Sequence, residues 1–277
     1  MTVWQVDFYR RPVQDEQGQA LWELVICEVE GAVLAIAWCS QKQVNAAWLT
    51  TQIQVAAAGH LPQQIEVFRP QALSLLEVAG QSLGVAVKPT RLLPALKQVL
   101  QQRATVYPQL PGYTGQVYDP LALEAPPPVP VPTSLWGDRW RFGAIAAADL
   151  LPAFAHKPIP IRATPEDWQP AALGLASSQL IPGVIIDGGR VSMRLARWLA
   201  DTHPAFLHYI PGEPDGLILE AGLVERWILA TFDDPDVKTA ARTFQERQQA
   251  AQGLHFLLIQ PDDAGLTYSG LWYLRKT

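Results

Sequence analysis

The chain has 277 residues, 17% charged and 49% hydrophobic, enough for one large domain or two ordinary ones, and this composition excludes wholesale disorder. Its formal net charge is −5, so the overall field does not favour nucleic acid, and any such contact needs a local basic patch. No apolar run reaches the ~18–20 residues of a membrane helix.

The chain opens on a strand pattern, Trp4–Arg11, in which Trp4, Val6 and Phe8 alternate. The N-terminus carries no signal or transit pattern, so a cytoplasmic location is expected. Leu21–Val29 and Ala32–Cys39 read as two further strands joined by a tight turn at Glu30-Gly31, the third apolar on both faces. Cys27 and Cys39 lack Cys-x-x-Cys spacing and a nearby histidine. Two buried thiols in a reducing compartment are expected, with a disulfide or metal site as the alternative. A helix follows over about Val44–Ala58, closed by Gly59, then a short strand, Ile65–Arg69, stopped by Pro70. Gln71–Leu83 is a helix ended by Gly84, Val85–Lys88 a strand, and Pro94–Arg103 a helix with proline in its first turn. This β-β-β-α-β-α-β-α order predicts an α/β domain with a mixed sheet, and ribonuclease H-like folds have it.

Six prolines between 120 and 132 make residues 114–134 read as a stiff connector, so domains are expected over 1–113 and 135–277. Beyond it, Trp136–Leu150 and the stretch to Leu180 give no clear pattern. Val184–Ile186 reads as a strand and Val191–Ala200 as a helix. Strands Phe206–Ile210, Leu217–Ala221 and Trp227–Phe232, a polar helix over Pro235–Ala251, the strand Leu254–Gln260 and a closing run, Leu266–Leu274, complete the chain. From Phe206 on, β-β-β-α-β repeats the order of residues 4–69, as a distant internal copy would. Residues 1–115 hold eight basic and eight acidic residues, so the acidic excess falls in the remainder.

The search for reaction chemistry yields an incomplete set. A ribonuclease H-like nuclease needs several carboxylates converging on divalent metal. Asp7 on the first strand is a possible member or a structural carboxylate, but the first helix has no acidic residue and Glu66 has no acidic neighbour just beyond it. Pro214-Asp215 is followed by Glu220-Ala221-Gly222, without the lysine of a Glu-x-Lys nuclease motif, and Asp236 lies where helix-capping acids stand. Ile185-Ile186-Asp187-Gly188-Gly189 reads as a strand and plain turn, not a phosphate-binding fingerprint. The histidines lack ligand spacing, and His255 reads as a satisfied core or interface residue.

Cations beside aromatics remain. Tyr9, Arg10 and Arg11 end the first strand, Phe68 and Arg69 the fourth, and Lys88 and Arg91 flank the exit of the fifth. Arginines can grip phosphates, and Tyr9 or Phe68 can stack on an unpaired base. Arg190, Arg194 and Arg197, spaced four and three apart, form a second set, on one helical face if the helix begins early enough to include Arg190. Each group has two readings: solvated surface arginines, or contacts to single-stranded RNA.

Longer motifs carry a family likeness. Trp4-x-x-Asp7-Phe8-Tyr9-x-Arg11-Pro12, Leu21-Trp22-Glu23-Leu24, Phe68-Arg69-x-Gln71, Val106-Tyr107-Pro108-x-x-Pro111-Gly112-Tyr113, Leu135-x-Gly137-x-x-Trp140-x-Phe142, Ile181-Pro182-Gly183 and Gly253–Gln260 together resemble the Tab/Atab proteins. These are translation activators for photosystem I in chloroplasts, with relatives in cyanobacteria. The resemblance implies a non-enzymatic protein without a required cofactor. It implies binding of A/U-rich single-stranded RNA and support of translation and assembly of photosystem subunits. Protein partners in translation or assembly are expected with it, and a protein-interaction scaffold without direct RNA contact is the competing expectation. Two positions depart from the family pattern. Pro89-Thr90-Arg91-Leu92 lacks one basic residue, and Trp272-Tyr273-Leu274-Arg275-Lys276 ends basic where an acid is usual.

Overall fold

The structure is a computed structural model describing residues 2–276. It resolves into two compact α/β units that divide between Glu124 and Ala125.

The first unit runs β1 (Val3–Gln14), β2 (Ala20–Glu28), β3 (Val33–Ser40), α1 (Ala46–Ala57), β4 (Gln64–Val67), α2 (Pro70–Leu83), β5 (Ala86–Pro89) and α3 (Pro94–Val106). Its sheet has the order β3-β2-β1-β4-β5, with β2 antiparallel to β1 and β3, and β1, β4 and β5 mutually parallel. The element order matches the sequence expectation, and local chemistry sets the ends. Asn45 caps α1 by accepting from Trp48 N–H at 2.9 Å, while Pro70 and Pro94 open α2 and α3. Gly84, at φ 70°, closes α2 in the left-handed conformation that glycine adopts without strain.

Period-two alternation along β1 decides what each sheet face becomes. Trp4, Val6 and Phe8 join Leu24, Ile26, Leu49, Ile53, Ile65 and Leu76 in the core beneath α1 and α2. Burying each of these side chains contributes about 1.5–3 kcal/mol. The opposite face meets α3 through Val25, Cys27, Phe68, Leu96 and Leu100. Gln5 and Asp7 point to that face. Gln5 Oε1 accepts from Leu96 N–H at 3.0 Å, satisfying a donor in the first turn of α3. Cys27 and Cys39 are free and buried, and burial pushes both thiols up to about 11.

The connector expected over residues 114–134 is not a free segment. Thr114 N–H donates to Pro12 O at 2.9 Å, and Leu121 and Leu123 pack against the α3-side core. Further along, Val129–Pro130 forms β6, a strand of the second unit, and Val131 is buried there. The prolines stiffen a chain whose two ends belong to two different sheets.

The second unit continues with β7 (Arg139–Ala146), α4 (Ala147–Ala155), β8 (Ile161–Ala163), β9 (Leu180–Asp187), α5 (Ser192–Thr202) and β10 (Pro204–Ile210). Then come β11 (Asp215–Ala221), β12 (Glu225–Phe232), α6 (Pro235–Ala250), β13 (Leu254–Gln260) and β14 (Gly270–Arg275). One sheet has the order β7-β9-β13-β14-β8 and the other β10-β11-β12-β6. The unpatterned stretch before Leu180 thus contains β7, α4 and β8. The shared element order of the two halves does not extend to shared topology. In the first unit β1 pairs with both β2 and β4. Here β10 pairs with β11, while β13 lies in the other sheet between β9 and β14.

The distinctive run Gly253–Gln260 is explained by that position. β13 is interior to its sheet and buried along its whole length, with Leu257 and Ile259 in one core and Phe256 and Leu258 in the other. Gly253 has φ 82°, and a Cβ there would come 2.1 Å from Lys276 O, so only glycine fits.

His255 is fully buried. Its Nε2 accepts from Leu207 N–H at 2.8 Å, and Nδ1 lies 2.8 Å from Gly253 O, which fixes the neutral tautomer with the proton on Nδ1. Burial lowers its pKa from 6.5 to about 4. Between those values the unfolded chain binds a proton that the folded one refuses, so stability rises with pH through this window and is lost on acidification. From about pH 7 to about pH 5 this residue alone costs the second unit about 2 kcal/mol. Urea titrations at the two pH values should show that loss in the parent chain and a smaller one, by one proton's worth, in His255→Gln.

Candidate nucleic-acid interface

Two of the N-terminal cations, Arg11 and Arg69, are buried and cannot contribute to an RNA surface. Alternation along β1 places Asp7 and Arg11 on the α3 face, where both are buried. Arg11 donates to Asp7 Oδ2 at 2.7 Å, to Glu23 Oε2 at 2.9 Å and to the Tyr118 hydroxyl at 2.8 Å. Arg69, 1% exposed, donates through Nε to Asp7 Oδ1 at 2.8 Å and through its two terminal nitrogens to Ala122 O and Pro120 O at 3.0 and 2.8 Å. Arg103 and the Tyr107 hydroxyl complete the shell of Glu23, at 2.5 Å to Oε1 and 2.6 Å to Oε2. Burial works to lower the Arg11 pKa, but Asp7, Tyr107, Tyr118 and Glu23 outweigh it, and the value stays raised. Burial likewise raises Tyr107.

This network corrects three expectations. Arg11 and Arg69 neutralise buried carboxylates and hold residues 118–122 down, and Phe68 is a core side chain at 2% exposure. None of the three can meet phosphate or base from solvent. Tyr9 is half-buried, and the Arg69 guanidinium sits 4.1 Å from its ring centroid, so one ring face is taken. Its hydroxyl lies 3.3 Å from Glu124 Oε1, which also pairs with the exposed Arg10 at 3.0 Å. Lys88 is exposed at the end of β5, and Arg91 is partly exposed beyond it. Burial, and then the charge of Arg91, lowers the pKa of the nearby Lys97 on α3. Asp7 is no open metal ligand either, because a guanidinium engages each of its oxygens.

The second unit presents the other set differently. In α5 the residues Ser192, Leu195, Ala196 and Leu199 are buried. At 100° per residue, Arg194 and Arg197 fall within about 60° of each other on the opposite side, and Arg190 precedes them in the short 3-10 turn Gly189–Val191. All three are exposed, and no ion pair to them is found among the described residues. Trp136, which the sequence reading did not single out, is 61% exposed, and its indole N–H donates to Val131 O at 3.0 Å. The ring is thereby oriented while much of its surface remains open. Trp136 and Arg190 line one open cleft of about 490 Å³, with Asp138, Asp262 and the Gly188-Gly189 turn.

The turn is held firmly. Gly188 N–H donates to Gln260 O at 2.7 Å, Gly189 N–H to Pro261 O at 2.9 Å, and Asp138 N–H to Asp187 O at 2.8 Å. Asp187 gathers Arg139 at 2.5 Å, Arg141 at 2.6 Å and Gln260 at 2.8 Å, and Arg139 also pairs with Asp263. Burial would raise the Asp187 carboxyl, but the hydrogen bonds from Arg139, Gln260 and Arg141 bring it below the usual range. Two arginines are thus consumed in fixing the loop that aims Arg190.

Family comparisons match this architecture over both units. Residues 3–103 match the N-terminal domain, and residues 118–275 the C-terminal domain, of the RNA-binding protein Tab2/Atab2. The chain belongs to the Tab2/Atab2 family. Two relatives, each described as "Protein TAB2 homolog, chloroplastic", are similar along nearly the whole chain. The one from Arabidopsis thaliana is 27% identical over 98% of this chain and 74% of its own length. The one from Zea mays is 26% identical over 98% and 70%. Among solved structures, the HTLV-2 integrase catalytic core domain in complex with magnesium (trimeric form) matches at 15% identity. That match covers 39% of this chain and 75% of that one with a TM-score of 0.26, too weak a likeness to carry an argument.

In this Tab2/Atab2 protein no local sequence signal marks the exposure of Trp136. A Cβ at Gly137 would lie 2.8 Å from Asp187 O, so glycine at this position lets the chain beside Trp136 pass tight against the end of β9.

Proposed function

We propose that this Tab2/Atab2 chain binds single-stranded, A/U-rich RNA on the second unit, around α5 and Trp136, and thereby promotes translation and assembly of photosystem subunits. The observation that carries this reading is the run of three exposed arginines, Arg190 in the turn before α5 and Arg194 and Arg197 on one face of it, beginning at a cleft with an exposed indole. Single-stranded recognition requires that pairing: cations follow the phosphates and an aromatic face takes a splayed base. Asp138 and Asp262 would repel phosphate inside the cleft, but their carboxylates accept hydrogen bonds from base N–H groups. The backbone therefore follows the arginines, and a base enters the cleft. The photosystem role and the A/U preference rest on family membership and on the likeness to chloroplast translation activators. A cytoplasmic location belongs to the same proposal, and the free, buried cysteines suit a reducing compartment.

No reaction is assigned in this reading. The ribonuclease H-like order of the first unit serves as a scaffold, because Asp7, Arg11, Glu23 and Arg69 satisfy one another within it. Photo-crosslinking in the source cell, with sequencing of the attached RNA, tests the proposal. Recovery of A/U-rich leaders of photosystem transcripts supports it. Partners that persist after nuclease treatment, with no RNA recovered, would replace it with a protein-interaction scaffold.

A further inference from the structure

We propose that the Trp136 cleft selects guanine, reading the Watson–Crick edge of one base in an otherwise A/U-rich strand through the Asp138 carboxylate. This rests on the RNA reading above and names the base that enters. The cleft combines the exposed indole of Trp136 with the carboxylates of Asp138 and Asp262 and the guanidinium of Arg190. Its volume of about 490 Å³ admits a purine. The two carboxylates are not equivalent. Asp262 Oδ1 accepts from Ala264 N–H at 2.9 Å, so Asp262 is partly spent on its own turn. No hydrogen bond or ion pair to the Asp138 carboxylate is found among the described residues. Asp138 is nevertheless placed. Its N–H donates to Asp187 O at 2.8 Å, and Gly189, tied to Pro261 O at 2.9 Å, leaves room for its side chain. A Cβ at Gly189 would come 2.9 Å from Asp138 Cγ and 3.0 Å from Oδ1, so the carboxylate takes the space that a side chain at 189 would fill.

A carboxylate only accepts, so it favours a base edge that only donates. Guanine alone sets two N–H groups side by side, at N1 and N2. Uracil flanks its one N–H with carbonyls, and adenine and cytosine set an amino group beside a bare ring nitrogen. In each of these, one carboxylate oxygen would face a lone pair. The paired contact to guanine should favour it about tenfold or more over the other bases. Stacking on Trp136 tolerates any base, so the choice falls to Asp138.

Fluorescence anisotropy with the full chain and short labelled RNA strands tests this. The strands are uridine throughout, or carry one central guanine, inosine, adenine or cytosine. The parent should bind the guanine strand about tenfold or more tighter than each of the others. Inosine is the sharpest comparison, because it lacks only the 2-amino group. Asp138→Asn should level the affinities, since an amide offers one donor and one acceptor and meets a donor-beside-acceptor edge on every base. Free 5′-GMP has no strand to follow α5 and should compete at least about tenfold more weakly than the guanine strand. A parent that binds the strands without separating guanine from inosine overturns the proposal and leaves the RNA reading standing. So does a guanine preference that survives Asp138→Asn. Competition by GMP equal to that of the strand would make the cleft a free-nucleotide site and overturns the proposal too. A parent that binds no strand overturns the RNA reading, and this inference with it.

Discussion

Replacing Arg69 by alanine should lower the unfolding free energy of the first unit by about 3–5 kcal/mol, as expected for one partner lost from a buried ionic network. Arg69 heads the fully buried side chains by volume, so its removal leaves a cavity as well as orphaned polar groups. Asp7 Oδ1 loses its donor, and the carbonyls of Pro120 and Ala122 lose theirs. Lysine should not rescue, because one ammonium cannot reproduce a planar fork that serves a carboxylate and two carbonyls at once. Urea unfolding followed by tryptophan fluorescence reads the loss, and limited proteolysis should show residues 118–124 cut first. The sequence reading placed Arg69 among candidate RNA contacts, and the loss of a surface phosphate contact would instead leave stability nearly unchanged while flattening the salt dependence of binding. A stability change below about 1 kcal/mol would return Arg69 to the surface role.

The triple change Arg190→Ala, Arg194→Ala, Arg197→Ala should have the opposite profile. These side chains are exposed, so stability should move by no more than about 0.5 kcal/mol per site. RNA affinity should fall about 10–100-fold at moderate salt, and the slope of log K against log salt should shrink by about 2, from three lost single-strand phosphate contacts. Trp136→Ala separates stacking from charge. It should cost about 1–3 kcal/mol of binding while leaving the salt slope unchanged, since an indole releases no counterions. A triple variant with an unaltered slope would clear α5 of phosphate contact.

The contrast shows what the sequence could and could not reveal. The first unit was legible because alternation, capping residues and prolines act locally. Trp4-Val6-Phe8 marks β1, Gly59 and Gly84 mark helix ends, and the order follows. Arg69 was misplaced because its partners are remote: Asp7 is 62 residues away and Ala122 is 53. Arg11 was closer to being readable. Period two puts Asp7 and Arg11 on one face of a strand whose other face is the core, and antiparallel pairing sets Glu23 opposite Tyr9. A carboxylate and a guanidinium four apart on a strand covered by α3 point to a buried pair. The pairing of Arg194 and Arg197 on one face of α5 was legible because helical spacing is a local property, whereas α5 begins only at Ser192, after Arg190. Trp136 was not, because the exposure of an indole is set by tertiary packing and leaves no local pattern in the sequence. β8 and β6, of three and two residues, were missed because strands that short have no period to detect.

Both halves of the chain hold arginines beside aromatics, and packing divides their work. In the first unit the guanidinium groups of Arg11 and Arg69 are spent on Asp7, Glu23 and backbone carbonyls, and they tie the 118–124 segment to the sheet. In the second, Arg139 and Arg141 are spent on Asp187, which leaves Arg190, Arg194 and Arg197 outward.

Mapping the protein side of the RNA contact tests that division most directly. Purified full-length chain, crosslinked by ultraviolet light to a 4-thiouridine-substituted A/U-rich oligonucleotide and digested, should yield labelled peptides containing Trp136 and residues 190–197. Labels confined to the peptides around Tyr9–Arg11, Phe68–Arg69 and Lys88–Arg91, with none on α5 or Trp136, would contradict the assignment of RNA to the second unit.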